Sequence, residues 1–186
     1  MDAVASPAER YAAAKKRSAH PLTLEFISQF DFGFDDFQIA ACHAVEEGRG
    51  VLVAAPTGAG KTVVGEFAAF SSLARGKKCF YTTPIKALSN QKFHEFVERF
   101  GEDRVGLLTG DTNINSDAEI MVMTTEVLRN MLYANSSTLL NLGAVVMDEV
   151  HYLADKFRGA VWEEVLIHLM ESVQVISLSA TVSNAE

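Results

Sequence analysis

Ala55-Pro56-Thr57-Gly58-Ala59-Gly60-Lys61-Thr62 places glycines, a lysine and a hydroxyl at the spacing of a phosphate cradle. Gly58 and Gly60 free the backbone around Pro56, Thr57 and Ala59 to close its N–H groups on an anion, at the positive end of a helix. Lys61 brings a point charge to β- and γ-phosphates, and Thr62 brings a hydroxyl for Mg²⁺. An ordinary glycine turn would not call for Gly-Lys-Thr at the helix start. A second constellation is the apolar run Ala144-Val145-Val146-Met147, which ends in Asp148-Glu149. Asp148 is the expected partner of Thr62 on the metal, and Glu149 the group that orients and deprotonates a water. Alone, such a pair is commonly a solvated turn. Lying 87 residues after Lys61, it instead completes a nucleotide site. The implied reaction is hydrolysis of the β–γ bond of a nucleoside triphosphate, driven by positioning and charge neutralisation.

Gln38 has two readings. Three residues after the helix cap Asp35, it fits a capping-box glutamine. Beside a phosphate loop, its amide also suits an adenine edge, with a phenylalanine from Phe26, Phe30, Phe32 and Phe34 against the ring. Both readings stand on spacing.

The elements that must hold these residues follow from periodicity. Val51-Leu52-Val53-Ala54 is a buried strand, and a helix follows from Val63 to Arg75, stopped by Gly76. Further strands are expected at Cys79–Thr83, Val105–Leu108, Ile120–Met123, Ala144–Met147 and Val173–Leu178. Helices are expected from Asp35 to about Glu47, Ala87 to Phe100, Thr124-Thr125-Glu126 toward Tyr133, and after Gly159. Asn113 to Ala118 reads as a polar loop. Ser6-Pro7-Ala8-Glu9 reads as a capping box opening a short helix to about Arg17, and Pro21 as an interruption. Lys15-Lys16-Arg17 is read as a solvated helix end. Met121 and Met123 are expected in the core. Alternating strands and helices imply a three-layer α/β fold with a mostly parallel, doubly wound sheet. Ligands then bind at the carboxyl ends of the strands. The polar turns Thr82-Thr83-Pro84, Thr109-Gly110-Asp111 and Ser179-Ala180-Thr181 all fall there.

The chain has 186 residues, 48% hydrophobic, enough for one domain with a sizeable core. No apolar run approaches a membrane span, and the N-terminus lacks a signal-peptide core, so a cytoplasmic location is expected. Cys42 and Cys79 are read as reduced structural thiols. The five histidines show no metal-ligand spacing. Net charge is −8, with residues 1–20 at +2 and the remainder at −10. That excludes a broad basic nucleic-acid surface, but not binding through backbone amides, helix N-termini and a few placed side chains.

The Asp148-Glu149-Val150-His151 stretch resembles the DExH box of superfamily two helicases. Residues 55–62 resemble their motif I, and Ser179-Ala180-Thr181 their motif III. Thr83-Pro84-Ile85-Lys86-Ala87-Leu88-Ser89-Asn90-Gln91-Lys92 is similar to motif Ia of the superkiller-type, exosome-associated RNA helicases. Met123-Thr124-Thr125-Glu126-Val127-Leu128-Arg129 is similar to their motif Ib, and Arg158-Gly159-Ala160-Val161-Trp162-Glu163-Glu164 also resembles that branch. Ala55 stands where the strict pattern has glycine, a change the family tolerates. The resemblance covers about Phe30 to the end. It implies a RecA-like P-loop domain using ATP and Mg²⁺, with Gln38 reading adenine and Phe32 stacking on it. It implies that Thr83, Pro84, Lys86, Gly110, Asp111, Thr125 and Glu126 lie along a single strand, expected to be RNA. His151, Ser179 and Thr181 would couple the ATP site to that strand. Residues 1–29 are expected as a helical extension and residues 30–186 as the first RecA-like domain. Nothing resembles motifs IV to VI, so a second RecA-like domain with its arginine finger is expected as a partner elsewhere in a longer parent chain, and RNA-degradation machinery as a further partner. Two other readings remain: a DNA helicase or translocase of the same superfamily, and a nucleotide-binding scaffold with weak catalysis.

Overall fold

Continuous apolar runs make the central strands, buried on both faces, and the two edge strands are partly exposed, at Leu52 and Ile114. In chain order the strands are β1 (Val51–Ala55), β2 (Lys78–Thr83), β3 (Val105–Leu108), β4 (Asn113–Ile114), β5 (Ile120–Thr124), β6 (Leu142–Met147) and β7 (Gln174–Ala180). The helices are α1 (Pro21–Ile27), α2 (Asp36–Glu46), α3 (Thr62–Ala74), α4 (Lys86–Phe100), α5 (Thr125–Tyr133) and α6 (Gly159–His168). The computed structural model describes Ser6, residues 19–151 and residues 159–180. The expected helix to Arg17 with Lys15-Lys16-Arg17, and Arg158 and Thr181, lie outside the described residues.

The sheet order is β1-β7-β6-β2-β5-β3-β4, and every pair is parallel except β3 with β4. Side-chain alternation divides the core. Cys79, Tyr81, Val122, Val146 and Ile176 pack under α2, α3 and α4, while Phe80, Met121, Met123, Val145 and Met147 pack with Trp162 and Leu128 from α6 and α5. This is the expected three-layer arrangement, with Met121 and Met123 in the core. Cys42 and Cys79 are free and buried, and burial pushes both thiols up to about 12.

One expectation needs correction. Asn113 and Ile114, read as loop, form β4, with Leu107 opposite Ile114. Thr109 N donates to Thr112 O at 2.9 Å and folds the chain back on β3. Two residues are too few to show an alternation, so the pairing left no periodic signal.

Pro21 is the first residue of α1, where its missing N–H costs nothing. The exposed N–H groups that remain are satisfied from α2. Glu46 accepts from Leu22 N (2.9 Å), Thr23 N (2.9 Å) and Thr23 Oγ1 (2.6 Å). This fixes Phe26, fully buried, against Phe30, Phe67 and Phe70.

Candidate functional site

β1 delivers the phosphate loop. Gly58 and Gly60 have φ of 85° and 75°, the left-handed region that glycine enters without strain. Lys61 folds back over the loop, its Nζ donating to the carbonyls of Ala55 (2.7 Å) and Pro56 (2.9 Å). Thr62 opens α3, and the next two N–H groups, Val63 and Val64, donate to the carbonyls of Gly60 (3.2 Å) and Lys61 (3.0 Å), which ties the loop to the helix start. Gln38 takes the capping-box position of its first reading and also reaches the phosphate loop. Its Oε1 accepts from Asp35 N at 2.8 Å, and its Nε2 donates to Gly60 O at 3.1 Å. A Cβ on Gly60 would lie 2.5 Å from that Nε2, so the glycine also makes room for the glutamine.

β6 delivers the carboxylates. Asp148 N donates to Thr82 O at 2.9 Å, carrying the ladder one residue past the strand. Asp148 Oδ2 then accepts from Tyr81 Oη at 2.7 Å, and Oδ1 from Glu149 N at 2.8 Å. Burial, with Asp148 beside it, pushes the Tyr81 phenol well above its ordinary range, so Tyr81 is a fixed donor. Glu149 has φ 56°, a strained value for a residue with a side chain and one that concentrates at functional sites. His151 Nδ1 lies 3.1 Å from Glu149 Oε2.

Gly58, Lys61 and Thr62 face Asp148 and Glu149 across one cleft of about 350 Å³, and α4 closes a side with Gln91 and Lys92; Gln38, Tyr81 and His151 stand outside this lining. Phe32 is not part of this lining. Its ring is 56% exposed and stacks on Phe34, centroids 5.8 Å apart. Ser179 lies in β7 opposite Ala54, beside the phosphate-loop strand, its hydroxyl donating to Ala180 O at 3.0 Å.

A hydroxyl after β1 and a carboxylate after β6, with β7 between the two strands, form a hard-oxygen donor set suited to Mg²⁺, which takes few protein ligands and completes its shell with water and phosphate. Among the described residues no group of three or more His, Cys, Asp or Glu could hold a metal without such help.

The second set gathers over β2, β5 and β3, neighbours in the sheet. Thr83 and Pro84 lead into α4, Thr125 and Glu126 open α5, and Gly110 and Asp111 follow β3. Lys86, Gly110 and Asp111 are exposed, with Lys86 Nζ 2.5 Å from Asp111 Oδ2. Thr83 and Thr125 are buried. Thr83 Oγ1 lies 2.7 Å from Ser89 Oγ, and Thr125 Oγ1 donates to Thr83 O at 3.2 Å. Their side chains therefore fix the loops rather than face a ligand.

Sequence reasoning passed over Tyr81 and Lys92. Tyr81 sits in an apolar strand, and a phenol on the buried parity of that strand was the available signal. In the sequence Lys92 is only the last residue of the stretch similar to motif Ia, with no role of its own.

The family model described as DEAD/DEAH box helicase matches residues 35–186. The probable helicase HelY of Mycobacterium tuberculosis is 64% identical over 161 residues, covering 87% of this chain and 18% of that protein. The antiviral helicase SKI2 of Saccharomyces cerevisiae is 46% identical over 190 residues, covering 96% of this chain and 15% of that protein. A solved structure of the Mycobacterium smegmatis helicase Lhr, bound to ssDNA and AMP-PNP, matches with a TM-score of 0.69 at 32% identity, covering 87% of this chain and 24% of that chain. This chain thus spans less than a fifth of the length of these curated relatives.

Proposed function

The chain belongs to the DEAD/DEAH box helicase family, and from that premise we propose that it is the first RecA-like motor domain of an ATP-dependent RNA helicase. The observation that carries the reading is the cleft. Lys61 and Thr62 on one strand end face Asp148 and Glu149 on another, with a donor set that fits Mg²⁺.

Each residue then has a task. The N–H groups of residues 57–62 and the start of α3 hold the phosphates. Lys61 exchanges its two loop carbonyls for phosphate oxygens, a swap that leaves its charge in place. Thr62 and Asp148 would hold Mg²⁺, which supplies charge neutralisation at the phosphates. Tyr81 and the Glu149 N–H keep the Asp148 carboxylate aimed into the cleft. Glu149 orients a water and takes its proton, with His151 holding the carboxylate from behind. Gln38, already on the loop, reads adenine, and Phe32 offers an exposed ring to it. Lys86, Gly110 and Asp111 meet a single strand, set in place by Thr83, Pro84, Thr125 and Glu126. Ser179, with Thr181 beyond it, and His151 couple the two sites.

RNA is favoured because motifs Ia and Ib resemble those of superkiller-type RNA helicases. The Lhr structure was solved with ssDNA, which supports DNA as the second reading. The test is the ATPase rate of the chain extended through its natural continuation, alone, with single-stranded RNA and with DNA of equal length. Stimulation by RNA well above DNA is expected, and equal or greater stimulation by DNA would transfer the proposal to a DNA motor.

A further inference from the structure

We propose that Lys92 is a positioning residue on the metal side of the cleft: its ammonium holds the Thr62 hydroxyl before metal binds and competes with Mg²⁺ for it. The proposal rests on the nucleotide reading above and deepens it. It makes Lys92 the residue that sets how strongly nucleotide binding depends on magnesium.

Lys92 Nζ lies 3.5 Å from Thr62 Oγ1 and 2.5 Å from Glu95 Oε2, and its side chain is only 12% exposed. The same ammonium sits 6.0 Å from the centre of the Tyr81 ring, and Tyr81 donates to Asp148. One cation therefore stands beside both oxygen donors that fit the metal, Thr62 directly and Asp148 through Tyr81. The phosphate chemistry does not call for it, because Lys61 already provides the phosphate lysine.

Its surroundings equip it to give way. Burial pulls the Glu95 carboxyl up, but hydrogen bonds from Lys92 and Gln91 outweigh this and hold it below its ordinary range. Glu66, one turn beyond Thr62 on α3, is pushed up by burial, while Arg99 and Lys92 pull it back. Lys92 thus has a charged anchor that does not involve Thr62. A lysine head on a flexible stem moves between two such partners at little cost. An ammonium and a divalent cation sharing one hydroxyl oxygen repel each other strongly. When metal is bound, Lys92 keeps Glu95 and gives up Thr62; when it is not, the charge beside Thr62 favours the phosphates.

The test is calorimetric binding of AMP-PNP to this chain over a Mg²⁺ series and in EDTA. Lys92→Met keeps the length of the stem and removes the charge. It lowers the Mg²⁺ midpoint by roughly tenfold and weakens binding in EDTA by roughly threefold. Lys92→Arg returns both values toward wild type, and Glu95→Gln, which removes the alternative anchor, raises the Mg²⁺ midpoint. A general packing defect would move both arms the same way. An unchanged midpoint in Lys92→Met, or parallel weakening in both arms, overturns the proposal. Absence of AMP-PNP binding by the wild-type chain at every Mg²⁺ concentration removes the nucleotide reading as well, a result distinct from intact binding with an unchanged midpoint.

Discussion

At the scale of single residues, the cleft depends on groups that aim other groups. Tyr81 is fully buried and spends its one donor on Asp148. Tyr81→Phe keeps the ring and strands a carboxylate oxygen, which costs about 1–3 kcal/mol when the oxygen is cut off from water. Chemical denaturation should show that loss, and AMP-PNP affinity in Mg²⁺ should fall with it; a variant as stable as wild type would mean that water replaces the phenol. Gly60 makes a sharper case. A Cβ there meets Gln38 Nε2 at 2.5 Å and the backbone stands at φ 75°. Gly60→Ala should cost about 1 kcal/mol of backbone strain or more and weaken nucleotide binding, read by calorimetry. Unaltered binding would mean that loop and glutamine are not mechanically linked.

At the scale of elements, α1 is held to the domain by a carboxylate on another helix. Glu46→Ala removes three hydrogen bonds to α1 and should lower unfolding free energy by about 2 kcal/mol. The pH dependence has a definite sign. Burial alone would raise the Glu46 carboxyl, but bonds from Thr23 and Leu22, with His20 nearby, hold it below its usual 4.5. A depressed carboxyl stabilises the fold above its unfolded value and loses that contribution as pH falls through the lower folded value. Wild type should therefore lose stability more steeply than Glu46→Gln below about pH 4.5, a difference readable in acid melts; parallel curves would remove Glu46 from the acid response. The elements themselves were largely legible, because apolar runs, caps and glycine stops act locally. β1, the phosphate loop and α3 follow from the 24 adjacent residues Val51 to Ala74. What escaped was set by distance along the chain. Glu46 caps a helix more than twenty residues before it. Tyr81 reaches Asp148 only because Thr82 pairs with Met147. Thr83 and Thr125 were placed at the right strand ends, but burial there turned their hydroxyls inward, which no motif records.

At the scale of the molecule, the sheet is shared between two tasks. β1, β7 and β6 carry residues proposed for the nucleotide, β2, β5 and β3 carry those proposed for a nucleic-acid strand, and β6 and β2 are hydrogen-bonded neighbours. The overall charge of −8 leaves strand binding to a few side chains. Lys86 is one, and its exposed pairing with Asp111 is weak enough to exchange for phosphate. Lys86→Ala should reduce the salt slope of single-strand binding by about one; an unchanged slope would exclude Lys86 from the interface. If a second RecA-like domain elsewhere in a longer parent chain supplies the arginine finger, worth ~10³-fold or more, then these 186 residues alone should bind nucleotide and, in a steady-state ATPase assay, turn it over far more slowly than about one per second. The central claim is that the cleft at the strand ends is a magnesium–nucleotide site. The measurement that tests it most directly is calorimetric titration of this chain with ATP in Mg²⁺, beside Lys61→Ala. The account predicts saturable one-to-one binding that is lost or greatly weakened in the variant. Equal binding by both, or none by wild type, would contradict it.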